Sequence, residues 1–372
     1  MRFLTLLLLS GGGHTGTNVM ASLQTRRKSL RLVTTSDMPD EPALFAFDAI
    51  YLAPKVADDP VAFERRILDI IAREKPDLVV PCRDEDVEWL AGLRERRGDL
   101  AATLLCGARE IAAMMNDKWR SFEFAARHGL PFVPSLQCGD DSGARDRVDA
   151  FVHEHGLPLV AKPRNGVDST GVVILATRAQ AHGAMTRRNY VLQQFLGAPD
   201  APRNYLEQVE REGIPLIHSF EGVKRSLQVL IGPEGRIEHV VCTHNKRLRH
   251  NARSISRDDD AEPQRIADAC ARVFADAGWR GPLNVQCLPA STGALFIHEF
   301  NARFTGATGA RWHIGCDEIG TAIRAFTGVE IPASFPSTEP PAFALEGLMP
   351  RAADRGWVRE LAERGEWMRK QA

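Results

Sequence analysis

Continuous apolar runs and helical apolar spacing alternate along the first part of the chain. The short continuous runs predict strands that are covered on both faces. They occur at residues 3–9, 29–34, 49–52 and 77–81. Between the last two runs, apolar residues at helical spacing predict a helix at residues 63–74. Strands that alternate with helices are typical of a parallel sheet, so we expect residues 1–107 to form a Rossmann-like α/β domain.

A hairpin is predicted further along the chain. Residues 282–290 and 295–303 each have the pattern of a strand, and the short segment between them contains a glycine. If residues 291–294 form the loop, Ala290 is expected to pair with Leu295. The same register places a glutamine of the first strand, Gln286, opposite a glutamate of the second.

The end of the second strand is polar on one face. Because side chains alternate in a strand, we expect one face to hold Leu295, Ile297, Glu299, Asn301 and Arg303. The other face is expected to hold Phe296, His298 and Phe300. The carboxylate and the amide oxygens of Gln286 and Asn301 suit Mg²⁺ or Mn²⁺ that phosphates also hold. The guanidinium of Arg303 suits an anionic oxygen instead. The alternative is an edge strand with a solvated polar face.

A lysine and a glycine-rich segment follow another apolar strand. Residues 157–163 predict a strand that ends in Lys162, and residues 164–171 are rich in glycine and hydroxyl side chains. Burying a lysine is costly unless it meets an anion, and the exposed backbone N–H groups of such a segment can hold phosphate oxygens. The segment is not a Walker loop, because the lysine precedes the glycines. The alternative is a flexible hairpin beside a chance lysine.

These motifs resemble those of the ATP-grasp superfamily. Residues 299–306 resemble its E-x-N-x-R-x-x-G signature, and residues 162–172 its K-P-x-x-G-x-x-S-x-G-V flap. Residues 281–286 look like the G-P-x-N-x-Q segment of its carbamoyl phosphate synthase-like, carboxylate-amine ligase branch. The resemblance implies a pre-ATP-grasp domain followed by a two-lobed ATP-grasp fold. The expected parts are the first domain at 1–107, an N-lobe at 108–190, a C-lobe at 191–330 and a C-terminal tail at 331–372.

The resemblance also implies roles for individual residues. ATP contacts are expected at Lys118, Lys162, Gly166, Ser169, Thr170, Gly171, Gln194, Phe195, Leu196 and Glu221. Metal ligands are expected at Gln286, Glu299 and Asn301, and a contact with the transferred phosphoryl group at Arg303. The chain departs from the family pattern at Gln194, Lys224 and Gln228, where acidic residues are usual. Glu221 is expected to contact the ribose in place of the residue at 224.

The function that the resemblance implies is ATP-dependent ligation. A small-molecule carboxylate or bicarbonate accepts the γ-phosphoryl group of Mg·ATP, and an amine attacks the acyl phosphate. A carbamoyl phosphate synthase-like half that phosphorylates carbamate or bicarbonate remains an alternative, as does a non-catalytic ATP-binding regulatory protein. The glycine loop at residues 11–16 suggests a further alternative, a nicotinamide or flavin enzyme. That loop does not match G-x-G-x-x-G, and the nearest acidic residue after the second strand is Asp37.

Composition is that of an ordinary globular protein. The chain has 372 residues, enough for two or three domains, with 44% apolar and 26% charged residues. A net charge of −1 argues against general binding to nucleic acid or to a membrane surface. The seven cysteines include no C-x-x-C pair, so we expect a reducing compartment, the cytoplasm. No cleavage site follows the apolar start, which favours a buried strand over a signal peptide. Both a monomer and a homodimer remain open.

One local stretch departs from this balance of charge. Residues 244–257 contain five lysine and arginine residues, among them Arg247 and Arg253. The stretch precedes the predicted metal hairpin, so we expect it at the rim of the cleft, where the two arginines would clamp an anionic substrate. The alternatives are a solvated loop and a nucleic-acid contact.

Overall fold

The computed structural model describes residues 3–41, 43–139, 142–166, 169–213, 222–248, 252–332, 335, 342–347 and 352–369. Its strands are β1 Leu4–Leu9, β2 Leu30–Ser36, β3 Ala49–Leu52, β4 Leu78–Pro81, β5 Ser135–Gln137, β6 Leu159–Pro163, β7 Val173–Leu175, β8 Tyr190–Gln194, β9 Lys224–Ile231, β10 Ile237–Arg247, β11 Arg253–Arg257, β12 Gly281–Pro289, β13 Leu295–Asn301, β14 Phe343–Glu346 and β15 Glu366–Met368. Its helices are α1 His14–Leu23, α2 Pro60–Glu74, α3 Asp84–Arg96, α4 Arg109–Met115, α5 Lys118–Arg127, α6 Ala144–His155, α7 Arg178–Met185, α8 Ala201–Glu212, α9 Ala261–Asp276, α10 Thr308–His313, α11 Glu318–Thr327 and α12 Arg355–Arg364. In these ranges no helix has both the length and the apolar character needed to span a membrane.

The first sheet has the strand order β15-β3-β2-β1-β4, and β1 to β4 run parallel. Alternate residues of β1 enter two different hydrophobic clusters, with Leu7 and Leu9 in one and Leu6 and Leu8 in the other. The strand is therefore covered on both faces, which is why its sequence is apolar throughout. This arrangement confirms the predicted Rossmann-like fold. Because the strands are parallel, their carboxyl ends meet at one edge of the sheet, and both α1 and α3 begin there.

Two antiparallel sheets form the remainder of the fold. The larger has the order β13-β12-β9-β10-β11-β14, and α9 covers one face through residues such as Ile266 and Phe274. The smaller has the order β5-β8-β6-β7 and shares a core with α6 and α7, in which Leu159 and Val148 are fully buried. Two sheets with their own helices after an α/β domain agree with the expected two-lobed fold.

The described residues of the expected C-terminal tail contribute strands to two sheets. β15 pairs antiparallel with β3, and β14 pairs antiparallel with β11 at the edge of the larger sheet. Trp367 of β15 is buried, and its ring lies against the rings of Phe45 and Trp357. Residues near the end of the chain therefore pack against the first domain.

The hairpin of β12 and β13 has a register that differs in part from the prediction. Gln286 is opposite Glu299, as expected, but Pro289 rather than Ala290 is opposite Leu295. The loop is one residue longer, and a β-bulge at His298 takes up the difference. The bulge also reverses the alternation, so the prediction that Leu295 and Ile297 share a face with Glu299 was wrong. Instead Leu295, Ile297, Phe300 and Ala302 all belong to the hydrophobic core.

Candidate active site

Lys118 lies between the hairpin of β12 and β13 and the base of the flap. It is the first residue of α5, and the Asp117 side chain caps that helix by accepting hydrogen bonds from backbone N–H groups of the first turn. Lys118 Nζ lies 3.6 Å from Glu299 Oε1 and donates a hydrogen bond of 3.3 Å to the Gly166 carbonyl. The structure thus brings together three predicted site residues that are far apart in the sequence, Lys118, Gly166 and Glu299.

The base of the flap is attached to the start of α5. Arg164 Nε lies 3.0 Å from Asp117 Oδ1, and the Arg164 carbonyl accepts a hydrogen bond of 3.0 Å from the Lys118 backbone N–H. Asn165 Nδ2 donates to the Asn116 carbonyl at 2.9 Å. Sequence reasoning missed Asp117 and Arg164. Asp117 precedes the predicted ATP contact Lys118, and Arg164 lies within the flap motif, but only the fold reveals that they form an ion pair.

Basic side chains are concentrated at the end of β6. The pKa of Lys162 is lowered to about 8, mainly by burial, which the Glu299 carboxylate opposes and the charges of Lys118 and Lys224 reinforce. Burial, together with the same three lysines, holds the pKa of His298 well below its usual range. Three lysines around a single carboxylate leave an excess of positive charge. A bound polyanion would relieve that excess.

The expected metal ligands lie on adjacent positions of β12 and β13. Glu299 is opposite Gln286, and Asn301 is opposite Asn284. The Glu299 side chain is 26% exposed and lines a cleft, whereas Asn301 is buried and its Nδ2 has no hydrogen-bond partner among the described residues. A partly exposed carboxylate beside the side-chain oxygens of two amides is a donor set that fits Mg²⁺ or Mn²⁺.

A buried polar network continues this face onto β9. Asn284 Nδ2 donates to Ser226 Oγ at 2.8 Å, and Arg311 Nη2 donates to Gln228 Oε1 at 3.2 Å. Arg311 is also ion-paired with Glu318, and both side chains are almost fully buried. An acidic residue at 228 would add a second negative charge beside a pair that is already neutral. The network therefore accounts for glutamine at a position where the resembled family has an acidic residue.

Arg303 is held by a residue of the first domain. Its Nε lies 2.9 Å from Asp84 Oδ1, and its Nη2 lies 3.0 Å from Asp84 Oδ2. Burial alone would lower the pKa of Arg303, but Asp84 and Glu299 raise it above its ordinary value, so the guanidinium stays charged. Asp84 lines the same cleft as Lys118 and Glu299. In the sequence it was only an acidic residue at a helix start, and that position gave no sign of this contact.

The remaining expected ATP contacts lie on two elements. Gly166, Ser169, Thr170 and Gly171 are exposed on the flap, and Gln194, Phe195 and Leu196 are partly buried at the end of β8. The Tyr190 hydroxyl donates to the Gly171 carbonyl at 3.2 Å, which attaches the end of the flap to β8. The predicted ribose contact, Glu221, lies outside the described residues.

The basic stretch forms part of the β10–β11 hairpin. Arg247 is directly opposite Arg253, and both residues are exposed. Like charges at directly opposed positions destabilise a strand pair unless an anion or a carboxylate lies between them. Alternation from Thr243, which is opposite Ser226 on β9, puts Arg247 on the same face of the sheet as Gln286 and Glu299.

A separate group of metal-type ligands includes His244, which is on β10 three residues before Arg247. His244, Asp258 and Asp260 come close together in the described part of the chain. The Arg225 guanidinium lies 3.2 Å from Asp258 Oδ2 and 3.6 Å from Asp260 Oδ2. Arg225 therefore supplies one positive charge beside these two carboxylates.

Comparison with known proteins agrees with this architecture. The chain matches N5-carboxyaminoimidazole synthetase from Staphylococcus aureus with a TM-score of 0.64 at 16% identity, over 89% of this chain and 79% of that one. It matches the biotin carboxylase domain of Hydrogenobacter thermophilus 2-oxoglutarate carboxylase, solved with MgADP and bicarbonate, with a TM-score of 0.63 at 14% identity. That match covers 93% of this chain and 74% of the other. The chain therefore has the ATP-grasp fold, which confirms the resemblance seen in the sequence. The particular proteins that share its arrangement include a biotin carboxylase and N5-carboxyaminoimidazole synthetases.

Comparison of sequences finds similarity over a much smaller part of the chain than comparison of structures. No family model matches the chain. Vancomycin C-type resistance protein VanC2 from Enterococcus casseliflavus is 30% identical over 67 residues, which is 18% of this chain and 19% of that protein. The chain thus matches about a fifth of the length of this relative.

Proposed function

We propose that the protein is an ATP-dependent ligase that phosphorylates a carboxylate to an acyl phosphate for attack by an amine. The observation that carries the proposal is the cleft in which Lys118 and Glu299 from separate motifs meet, with Arg303 held at its edge by Asp84. The fold shared with ADP-bound and MgADP-bound enzymes supports it.

The lysines of the cleft bind the phosphates of ATP in this proposal. Lys118 and Lys162 carry the charges, and the flap residues Gly166, Ser169, Thr170 and Gly171 cover the phosphates from outside. Gln194, Phe195 and Leu196 contact the adenine through their backbone groups. The attachment of Arg164 to Asp117 keeps the base of the flap beside Lys118.

Gln286, Glu299 and Asn301 would hold Mg²⁺ or Mn²⁺. When bound, the ion would neutralise charge on the terminal phosphates. The Lys118 ammonium lies 3.6 Å from Glu299, so a lysine that binds phosphate also orients the metal carboxylate.

The reaction transfers the γ-phosphoryl group to a carboxylate oxygen and releases ADP. Arg303 binds oxygens of the transferred group with its guanidinium. The amine nitrogen then attacks the carbonyl carbon, and phosphate leaves with the former carboxylate oxygen. The chain's own contribution is positioning and charge stabilisation, as in other phosphoryl transfers.

Bicarbonate is a second candidate acceptor. The likeness to a biotin carboxylase solved with bicarbonate favours it. Arg247 and Arg253 are proposed to bind the anionic acceptor, whether it is bicarbonate or a larger acid, because they place two guanidinium groups at directly opposed, exposed positions of the β10–β11 hairpin.

Hydroxylamine trapping tests the proposal. With Mg·ATP and the right acid, hydroxylamine should give a hydroxamate, and ADP should be the co-product. Bicarbonate-dependent ADP release without a hydroxamate from any acid would favour the second candidate. Release of AMP and pyrophosphate would contradict both, because it indicates adenylation.

A further inference from the structure

The contact between Asp84 and Arg303 joins parts of the chain that are 219 residues apart. Asp84 begins α3 at the carboxyl edge of the first sheet, and Arg303 follows the last strand of the metal hairpin. The two side chains are 18% and 19% exposed, and two nitrogens of the guanidinium meet two oxygens of the carboxylate. A two-point pair of this kind fixes the plane of the guanidinium as well as its position.

The other contacts of Arg303 show what its orientation controls. Nη1 lies 3.3 Å from the Phe304 carbonyl, and Nη2 lies 3.4 Å from Asn301 Oδ1. The guanidinium is therefore close to a proposed metal ligand. Glu299 is two residues before Asn301, past the bulge on the same polar face, so it is the carboxylate that Arg303 would approach if Asp84 were removed.

We propose that Asp84 is a positioning residue with two effects on the proposed reaction. It holds the Arg303 guanidinium toward the transferred phosphoryl group, and it keeps that guanidinium from pairing with Glu299, so that Glu299 stays available to the metal ion. The proposal rests on the proposed function for its first effect. The second effect concerns metal affinity and is measured without turnover.

The test compares Asp84→Asn with Asp84→Glu and with Glu85→Gln, a neighbouring acidic residue of the same helical turn. Binding of Mn²⁺ in the presence of ADP is followed by electron paramagnetic resonance, and kcat and KM are taken from the hydroxamate assay. For Asp84→Asn we expect kcat to fall about a hundredfold and Mn²⁺ affinity about tenfold, with the KM for ATP nearly unchanged. Glu85→Gln should leave all three values as in the wild type.

Asp84→Glu keeps the charge but moves the carboxylate by one methylene. It should retain wild-type Mn²⁺ affinity and give a kcat between those of the wild type and Asp84→Asn. If Asp84→Asn does not fold, this variant still decides the question. A wild-type kcat in Asp84→Glu would then show that the position of the carboxylate does not matter.

A double-variant comparison separates action through Arg303 from other roles. In an Arg303→Ala background, Asp84→Asn should cause no further loss of kcat or of Mn²⁺ affinity, because the residue through which it acts is gone. A further loss there would overturn the proposal. So would an Asp84→Asn protein that unfolds at lower temperature yet keeps its kcat and Mn²⁺ affinity, since Asp84 would then have only a structural role.

The same data distinguish a failure of the proposed function. If the wild type forms no acyl phosphate with any acid but Asp84→Asn still weakens Mn²⁺ binding, the ligase assignment fails and the positioning of Glu299 stands. If the wild type is active and Asp84→Asn matches it in every value, the positioning proposal fails and the function stands.

Discussion

Lys162→Met removes the ammonium group of a lysine in the cleft and keeps most of its side-chain length. Burial lowers the pKa of Lys162 to about 8, whereas an unfolded lysine has a pKa of about 10.4. The difference corresponds to roughly 3 kcal/mol of unfavourable charge burial. Because the folded pKa is the lower one, the unfavourable term is fully present below pH 8 and disappears as the pH rises toward the unfolded value.

The variant should therefore be more stable than the wild type at neutral pH. We expect its free energy of unfolding at pH 7 to exceed that of the wild type by as much as roughly 3 kcal/mol, with the difference shrinking above pH 8. Its ATP affinity should change in the opposite direction. A charge-assisted bond to phosphate contributes roughly 1.5–3 kcal/mol, so the affinity should fall about ten- to a hundredfold.

Calorimetry checks both parts of the reasoning. At pH 8 about half of the unliganded molecules carry a neutral Lys162, and a bound polyanion favours the charged form, so ATP binding should take up about half a proton. Titrations in two buffers of different ionisation enthalpy measure that uptake. Lys162→Met should lack it, and Lys28→Met, which alters an exposed lysine, should behave as the wild type.

Two results would refute this account of Lys162. One is a variant that is less stable than the wild type at pH 7, which would mean that the lysine charge is compensated without a ligand. The other is an unchanged ATP affinity together with an unchanged proton uptake, which would remove Lys162 from the phosphate site.

Three further predictions concern the other parts of the site. Glu299→Gln should lower ADP release about a hundredfold or more and leave the unfolding midpoint within a few degrees, whereas near-normal turnover would contradict its role as a metal ligand. Arg164→Ala should raise the KM for ATP about tenfold because the flap base loses Asp117, and Arg178→Ala, which breaks an exposed pair with Asp149, is the matched control. Arg247→Ala and Arg253→Ala should each raise the KM for the acid about tenfold, leave that for ATP unchanged and lose part of this effect at high salt. Unchanged constants in both arginine variants would mark a solvated hairpin.

Local patterns were sufficient to predict the strands that carry the site. The apolar runs of β1 and β4 have the composition of strands that are buried on both faces, and the pairing of Gln286 with Glu299 was predicted correctly. The bulge at His298 could not be predicted from the sequence. The hairpin loop is one residue longer than predicted and the bulge adds one residue to β13, so the two changes cancel and Gln286 still pairs with Glu299. Because the bulge was not predicted, the reversal of side-chain alternation that it causes was not predicted either. The side chains of β13 that face the core were therefore assigned incorrectly.

Contacts between residues that are far apart in the chain could not be predicted from the sequence. Asp84 has a local role as an acidic residue in the first turn of α3, but its partner Arg303 follows β13 of another sheet. Asp117 likewise has a local role as the cap of α5, whereas its pairing with Arg164 depends on how the flap packs against α5. In both cases the local sequence accounts for the role of the carboxylate at a helix start, and tertiary packing adds its ion pair with a distant arginine.

The position of β15 has a consequence for how the protein is made. Synthesis proceeds from the N-terminus, and domains generally fold as they emerge. β1 to β4 are available early, but β3 remains an open sheet edge until residues 366–368 have been synthesised. From the synthesis of β3 until that of residues 366–368, the nascent first domain thus presents unpaired backbone groups that can associate with another chain. A ribosome-bound chain that stops before Glu366 should therefore engage chaperones, and supplying a segment that contains β15 should release it.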